Sequence, residues 1–308
     1  MSRRITLLGP QPRSQLPRAL GELDPDAVVA TVTAGWQERE IDDAELAEAI
    51  GFRTVNLALH ARLLAVYDED REYAHAEREH EAALAELRQL YLVQLDHALG
   101  AAYEVARRSD ARPRLRERAL TDALRVVQLL DEQHLDRVTE YQLKFYDAWR
   151  PQERAAVARQ RDEIHGILRT SAAVAIAGGH VGELTRVLHL FHLAPHLPER
   201  VVAWSAGAMA LTDRVVLFHD FVPHGVAQTE VYGTGIGVVP GVVALPHARR
   251  RLQVNDPVHM SVLARRFAPA HCLVLDDSTR IPLDEEGRLP PDARVLDLEG
   301  HIATLEAA

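Results

Sequence analysis

A serine lies where the sequence predicts that a strand turns sharply into a helix. Ser205 follows the apolar run 201–204 and is flanked by small residues in the segment Trp-Ser-Ala-Gly-Ala. A tight strand-to-helix turn of this kind lifts a serine hydroxyl above the sheet, where it can act as a nucleophile. The backbone N–H of the next residue, Ala206, is then a candidate donor to a developing oxyanion. The alternative is a serine that simply caps a helix, because so short a pattern also arises by chance.

A pair of glycines upstream is a second candidate for oxyanion binding. Gly178 and Gly179 follow the apolar run 172–177. Glycine lets the backbone turn so that its N–H groups face a ligand, which makes Gly179 the other candidate donor. A plain strand-to-helix turn is the alternative. His180 follows directly and is a candidate contact for the substrate.

A histidine and an acid follow two later apolar runs. His247 comes after the run 238–245, and Asp277 comes after the run 272–275 with a second aspartate before it. We expect these runs and the strand before Ser205 to belong to one sheet. The histidine could then act as a general base toward the serine, and the acid could orient the histidine. The order serine, histidine, acid differs from that of the α/β-hydrolases.

Two arginines follow the histidine closely. Arg249 and Arg250 lie two and three residues beyond His247. Guanidinium groups bind carboxylates through paired N–H bonds, so both are candidates for holding an acidic group of the substrate. A solvated basic turn is the alternative.

Four motifs occur in a fixed order along the chain. They are Gly178-Gly179, Trp-Ser205-Ala-Gly-Ala, Gly-x-Gly-x-x-Pro leading to Pro-His247, and the Asp-Asp-Ser-Thr segment 276–279. In these motifs the segments 1–41 and 166–308 resemble the dipeptidase E and cyanophycinase family of serine peptidases. Members of that family have a class I glutamine-amidotransferase-like fold. They cleave dipeptides with an N-terminal aspartate or β-aspartyl-arginine links in a storage polymer.

The resemblance implies a role for each candidate residue. Ser205 would be the nucleophile, His247 the general base and Asp277 the acidic third member. Gly179 and Ala206 would supply the oxyanion N–H groups. The resemblance implies no cofactor.

Glycine and proline divide the chain into two kinds of sequence. The segment 42–165 holds only two glycines and two prolines and is rich in alanine, leucine, glutamate and arginine, which favour helices. Apolar residues recur there at helical spacing, so we predict about four helices, two of them about 37 residues long. Such helices pack as an α-helical bundle or a projecting hairpin.

The remaining segments, 1–41 and 166–308, predict an α/β domain. Their short apolar runs alternate with helical patterns, which indicates a parallel-rich central sheet flanked by helices. This is the arrangement that the glutamine-amidotransferase-like resemblance implies. The helical segment 42–165 would be an insertion after the second strand.

Composition and charge argue against several classes of function. Asp and Glu number 45 against 35 for Lys and Arg, and a formal net charge of −10 disfavours nucleic acid and anionic membranes as partners. No apolar run approaches the ~18 residues of a membrane helix. The single cysteine, Cys272, excludes an internal disulfide, and the N-terminus lacks the apolar stretch of a signal peptide. We therefore predict a cytoplasmic location.

Histidines and acids recur at helical spacing in two places. His189, His192 and His196 share one predicted helical face, but no carboxylate joins them, so we predict no metal there. Half of a di-iron carboxylate pattern occurs in the helical segment, where polar surroundings favour a solvated helix face. The residues of that pattern are Glu77, His80, Asp131 and His134.

The function that these residues favour is hydrolysis of a short peptide or isopeptide bond through an acyl-enzyme. The expected partner is a short peptide or aspartyl-peptide substrate, with a homo-oligomer formed through the helical segment as a further expectation. One alternative is a catalytically retired relative that binds a partner through the segment 42–165. Another is an acyl transferase whose acceptor is not water.

Overall fold

The computed structural model of the protein describes residues 3–10, 13–220 and 229–307. The strands are β1 (Arg4–Leu8), β2 (Val28–Val32), β3 (Arg53–Asn56), β4 (Ala173–Ile176), β5 (Arg200–Trp204), β6 (Arg214–Leu217), β7 (Glu230–Thr234), β8 (Val242–Pro246), β9 (His271–Leu275), β10 (Arg280–Pro282), β11 (Arg294–Leu296) and β12 (Ile302–Thr304). The α-helices are α1 (Leu16–Leu20), α2 (Ala44–Ile50), α3 (Leu59–Glu69), α4 (Arg71–Arg107), α5 (Pro113–Trp149), α6 (Ala155–Thr170), α7 (Val181–Leu190), α8 (Ala206–Ala210), α9 (Ala248–Arg251) and α10 (Pro257–Phe267).

The largest sheet has six strands in the order β10-β1-β5-β4-β2-β3. All neighbours in it run parallel except β10, which pairs antiparallel with β1. The central strand β4 is buried along its whole length, as expected for a strand covered on both faces. The predicted α/β class, with a parallel-rich central sheet flanked by helices, is confirmed.

Helices cover both faces of this sheet. On one face α1 and α2 bury Leu20 and Ile50 against strand residues such as Val202. On the other face α3, α6 and α7 bury apolar side chains that include Leu63 and Ile164. Each leucine or isoleucine buried in this way contributes about 1.5–3 kcal/mol. This packing on both faces stabilises the sheet, and the sheet in turn positions the loops that follow the carboxyl ends of its strands.

The strands before His247 and Asp277 lie in a second sheet. β8 pairs parallel with β9 in a four-stranded sheet of order β12-β11-β9-β8. The prediction that these strands share one sheet with the strand before Ser205 is wrong, because β10 occupies the outer edge of β1. The two sheets meet where the loop after β9 packs on β1, and the N–H of Gly9 donates to the Thr279 carbonyl at 2.9 Å. A Cβ on this glycine would lie 1.8 Å from a backbone oxygen of that loop.

The segment 42–165 is not entirely helical, which corrects the sequence prediction. Within it β3 pairs with β2 and forms the edge of the central sheet. β3 reads Arg-Thr-Val-Asn, so it has no apolar run that a sequence pattern could detect. The two long helices are present, since α4 and α5 have 37 residues each. At 1.5 Å per residue each is about 55 Å long.

The α4–α5 hairpin lies against β7 and α10 instead of projecting from the domain. At its centre Arg266 of α10 donates from Nε and Nη2 to the two carboxylate oxygens of Asp131, each at 2.7 Å. Tyr91 of α4 donates to the same carboxylate at 2.7 Å, and its ring stacks on His134 with centroids 4.1 Å apart. Asp131, His134 and also Glu77 are buried, so their interpretation as a solvated helix face is wrong.

Loss of the Asp131 carboxylate should destabilise the fold strongly. Asp131→Ala leaves the charge of Arg266 buried without a counter-ion, which costs about 3–5 kcal/mol of unfolding free energy. Asp122→Ala is the matched control on the same helix, because Asp122 forms only an exposed pair with Arg125 and should change stability far less. Urea unfolding followed by circular dichroism measures both, and equally small losses would contradict the role of the buried pair.

The described ranges contain no helix that is both long enough and apolar enough to cross a bilayer. Within the same ranges no three histidine, cysteine or acidic side chains converge as a metal site would require. His189 instead faces the Thr234 carbonyl at 3.3 Å, and the rings of His192 and His196 are 6.0 Å apart.

Candidate active site

Ser205 occupies a sharp turn between β5 and α8. Its backbone has φ 52° and ψ −123°, a conformation that is unfavourable for a residue with a side chain. Strained residues of this kind persist where the surrounding structure holds them, and they cluster at functional sites. The side chain is half-buried, so the hydroxyl is not sealed in the core. The predicted strand, turn and helix are all present at this serine.

The small residues around Ser205 are required by close backbone approach. A Cβ on Gly178 would lie 2.7 Å from the Cβ of Ser205 and 3.1 Å from its Oγ. A Cβ on Gly207 would lie 2.4 Å from the carbonyl oxygen of Ile176. The end of β4 is therefore pressed against the serine turn.

Gly179 is held by a loop that the sequence reasoning missed. Its φ is 131°, and a Cβ on it would lie 2.3 Å from the Gly35 carbonyl oxygen, which also accepts from the His180 N–H at 2.7 Å. Gly35 follows β2, and the only signal for it is a glycine placed just after an apolar run. Among the described residues no acceptor pairs with the N–H of Gly179 or Ala206. Both N–H groups are therefore available to an oxyanion.

His247 lies directly after β8, with a left-handed backbone at φ 58°. Its N–H donates to the Leu275 carbonyl at 3.0 Å, which ties it to the end of β9. Burial lowers the pKa of His247 and the nearby Arg251 lowers it further, whereas Asp277 acts in the opposite direction. The imidazole is thus neutral at neutral pH, which is the form that accepts a proton.

The two acids after β9 are paired with arginines. Asp277 accepts from Nη2 of Arg250 at 2.8 Å, and Asp276 accepts from the backbone N–H and the Nε of Arg249, both at 3.1 Å. His247 lines the same cavity of about 440 Å³ as these four side chains. The structure therefore brings the histidine, the acids and the arginines together.

The expected chain of hydrogen bonds through the three predicted catalytic residues is not formed in this structure. Within residues 3–10, 13–220 and 229–307, no hydrogen bond joins Ser205 to His247 or His247 to Asp277. Asp277 forms an ion pair with Arg250 instead, because both side chains are exposed, oppositely charged and within reach of each other. The serine and the histidine still lie on neighbouring elements, since α8 packs against β8.

His180 has a structural contact that the sequence reasoning did not foresee. Its Nδ1 accepts from the backbone N–H of Glu183 at 3.0 Å and caps α7. A neutral imidazole that accepts at Nδ1 carries its proton on Nε2. The exposed ring therefore offers a donor at Nε2 as its remaining contact for a ligand.

The pKa of His247 should move in opposite directions in two variants. Arg251→Gln removes a positive neighbour and should raise the pKa of His247. Asp277→Asn removes a negative neighbour, frees Arg250 and should lower it further. Titration followed by NMR of the imidazole measures both values. Shifts of the same sign in the two variants would contradict this electrostatic account.

Comparison with known proteins finds similarity among solved structures. No protein-family model matches the chain, and no curated protein matches it significantly. Thirteen chains of solved structures do match. One is a crystal structure of a peptidase from an acI-B1 Actinobacterium, with 13% sequence identity and a TM-score of 0.42 over 96% of this chain and 87% of that chain.

Proposed function

We propose that the protein is a serine-type peptidase that cleaves a short peptide or isopeptide bond through an acyl-enzyme at Ser205. The backbone of Ser205 carries this proposal, because a serine with a positive φ at a sharp turn between a central strand and a helix has the geometry of a nucleophile elbow. The available N–H groups of Gly179 and Ala206 support it. We also propose membership of the dipeptidase E and cyanophycinase family and a glutamine-amidotransferase-like fold, on the order of the four motifs.

The proposed reaction has two steps. The Ser205 Oγ attacks the substrate carbonyl carbon while its proton passes to His247, and the N–H groups of Gly179 and Ala206 stabilise the oxyanion. The C–N bond then breaks, and the leaving amine takes the proton from His247. A water molecule that gives its proton to His247 next attacks the ester. The acid product leaves, and the proton returns to Ser205.

The pair of Asp277 with Arg250 suggests how an acidic substrate would complete the site. A carboxylate of an aspartyl peptide would bind the exposed guanidinium groups of Arg249 and Arg250 through paired N–H bonds and replace Asp276 and Asp277 as their partners. Asp277 would then be free to accept from His247 and orient it. Catalytic hydrogen bonds that are long in a free enzyme often tighten in the substrate complex.

A hydrolysis screen tests the proposed function. Wild type and Ser205→Ala are incubated with α-aspartyl dipeptides, β-aspartyl dipeptides and a general dipeptide pool, and products are read by mass spectrometry. Turnover by the wild type that disappears in the variant is the expected result. Absence of turnover from well-folded wild type would contradict the proposal.

The second candidate function is a partner-binding scaffold, favoured by the absence of a bond between Ser205 and His247 in the described structure. The outer face of the hairpin also exposes large apolar side chains. They include Leu90, Val93 and Leu115. A homo-oligomer formed through this face is part of the candidate. Sedimentation of wild type and of Leu90→Glu measures the mass of each in solution. A monomer mass for both would contradict the homo-oligomer.

A further inference from the structure

A cavity of about 370 Å³ lies between the α4–α5 hairpin, α7 and β7. Ser205, His247 and Asp277, which all fall within the described ranges, are not among its lining residues. Its size is that of a pocket for a small molecule. The cavity therefore needs an explanation apart from the proposed catalytic residues.

One carboxylate in this cavity is buried and only partly satisfied. Glu77 of α4 is 4% exposed, and its Oε2 has no hydrogen-bond partner among the residues that the structure describes. Burial raises the pKa of Glu77 to about 7, and the Tyr67 hydroxyl, the nearby Arg186 guanidinium and the Tyr73 hydroxyl only partly offset this. A buried carboxylate that forms no direct ion pair is costly, and a cationic partner in contact with it would remove much of that cost.

A second carboxylate lies one helical turn further on. Glu81 lines the same cavity, and burial raises its pKa as well. Residues four apart on a helix share a face, with Cβ atoms about 5–6 Å from each other. Glu77 and Glu81 thus present two carboxylates to the cavity from one face of α4.

Each of the two arginines that line the cavity is paired with a carboxylate, although the Nε of Arg186 has no hydrogen-bond partner among the described residues. Arg186 forms an ion pair with Glu183, and Arg88 forms a two-bond pair with Glu230. Burial lowers the pKa of His80, so it is not a cation at neutral pH. In the described part of the chain neither Glu77 nor Glu81 forms an ion pair, although Arg186 is near enough to lower the pKa of both. Because Arg186 and Arg88 are paired with Glu183 and Glu230, the carboxylates around the cavity outnumber its arginines.

Aromatic rings border these carboxylates. The rings of Tyr73 and Phe145 have centroids 6.0 Å apart, and Tyr146 meets Phe145 edge-on at 6.2 Å. Aromatic faces attract ammonium groups and also pack against aliphatic chains. We propose that the cavity binds a small organic cation, a primary ammonium on an aliphatic chain, held by Glu77 and Glu81 and enclosed by Tyr73, Phe145 and Tyr146. The proposal does not depend on catalysis by Ser205.

Isothermal titration calorimetry of the full chain with putrescine tests the site. Putrescine carries two ammonium groups on a four-carbon chain, and 1,4-butanediol is its neutral counterpart. We expect saturable binding of putrescine to one site and none of the diol. Glu77→Gln and Glu81→Gln should each weaken binding about tenfold or more, since each removes a charge-assisted hydrogen bond.

Glu86→Gln is the matched control, because Glu86 is exposed on the same helix and does not line the cavity. Thermal unfolding of the wild type is a second test that requires no variant. Putrescine should raise the melting temperature, and 1,4-butanediol should leave it unchanged. N-acetyl-lysine methylamide distinguishes the source of the cation, because tighter binding than putrescine assigns the site to a peptide side chain. No saturable binding of either amine by wild type, or affinities unchanged in both glutamine variants, would overturn the proposal.

Discussion

Ser205→Ala should reduce the turnover of any dipeptide that the wild type cleaves by about 10³- to 10⁶-fold, with the fold intact. The loss is expected to be this large because the variant has no atom that can form the acyl-enzyme, however well Gly179 and Ala206 bind the oxyanion. Steady-state kinetics on the best substrate of the screen measures the ratio. Circular dichroism of the variant checks that its fold is unchanged.

Ser261→Ala is the matched control for the loss of a hydroxyl. The Ser261 hydroxyl donates to the Leu298 carbonyl at 2.6 Å, away from the site, so turnover should be retained. Ser205→Gly separates catalysis from strain, because glycine adopts φ 52° without a steric penalty. This variant should be inactive and more stable by about 1 kcal/mol. Turnover that survives in either Ser205 variant would show that another residue is the nucleophile.

Gly178→Ala should have the second-largest effect, a loss of turnover of about 100-fold. The added Cβ would lie 2.7 Å from the Cβ of Ser205, so the serine or the end of β4 must move. A displaced nucleophile no longer meets the substrate carbon and the oxyanion donors together. The loss should appear in kcat, measured on the same substrate.

Gly100→Ala is the control for this substitution. Gly100 lies inside α4, where a Cβ would meet no heavy atom within 4 Å. Its replacement should leave turnover unchanged and raise stability by roughly 0.5–1 kcal/mol. Full activity of Gly178→Ala would contradict the close packing that we assign to the serine turn.

The serine turn could be predicted from the sequence because its determinants are local. An apolar strand, a serine and three small residues are consecutive, and one of the small residues, Gly207, has to be a glycine because a Cβ there would lie 2.4 Å from the carbonyl oxygen of Ile176 at the end of β4. The 37-residue helices could be predicted for the same reason, since helical periodicity repeats over many turns.

The assignment of strands to sheets could not be predicted, because it depends on pairing between distant segments. The apolar runs of β8 and β9 indicate buried parallel strands, which is correct. No local sequence pattern, however, indicates that β10 pairs with the outer edge of β1. β3 has one apolar residue and is recognised only by its pairing with β2. The predicted catalytic roles of His247 and Asp277 stay predictions for a similar reason. The contacts of exposed charged side chains such as Arg250 are decided by geometry that the sequence does not encode locally.

The buried pair of Asp131 and Arg266 has a consequence for synthesis on the ribosome. The two residues are 135 positions apart in the sequence, and the separation between β1 and its edge partner β10 is larger still. The α4–α5 hairpin can form early through its own local contacts, but its inner face and the outer edge of β1 stay open until the last part of the chain emerges. Open strand edges and apolar helix faces are where nascent chains associate wrongly. A chain that stops near residue 250 should therefore aggregate instead of forming a smaller stable domain.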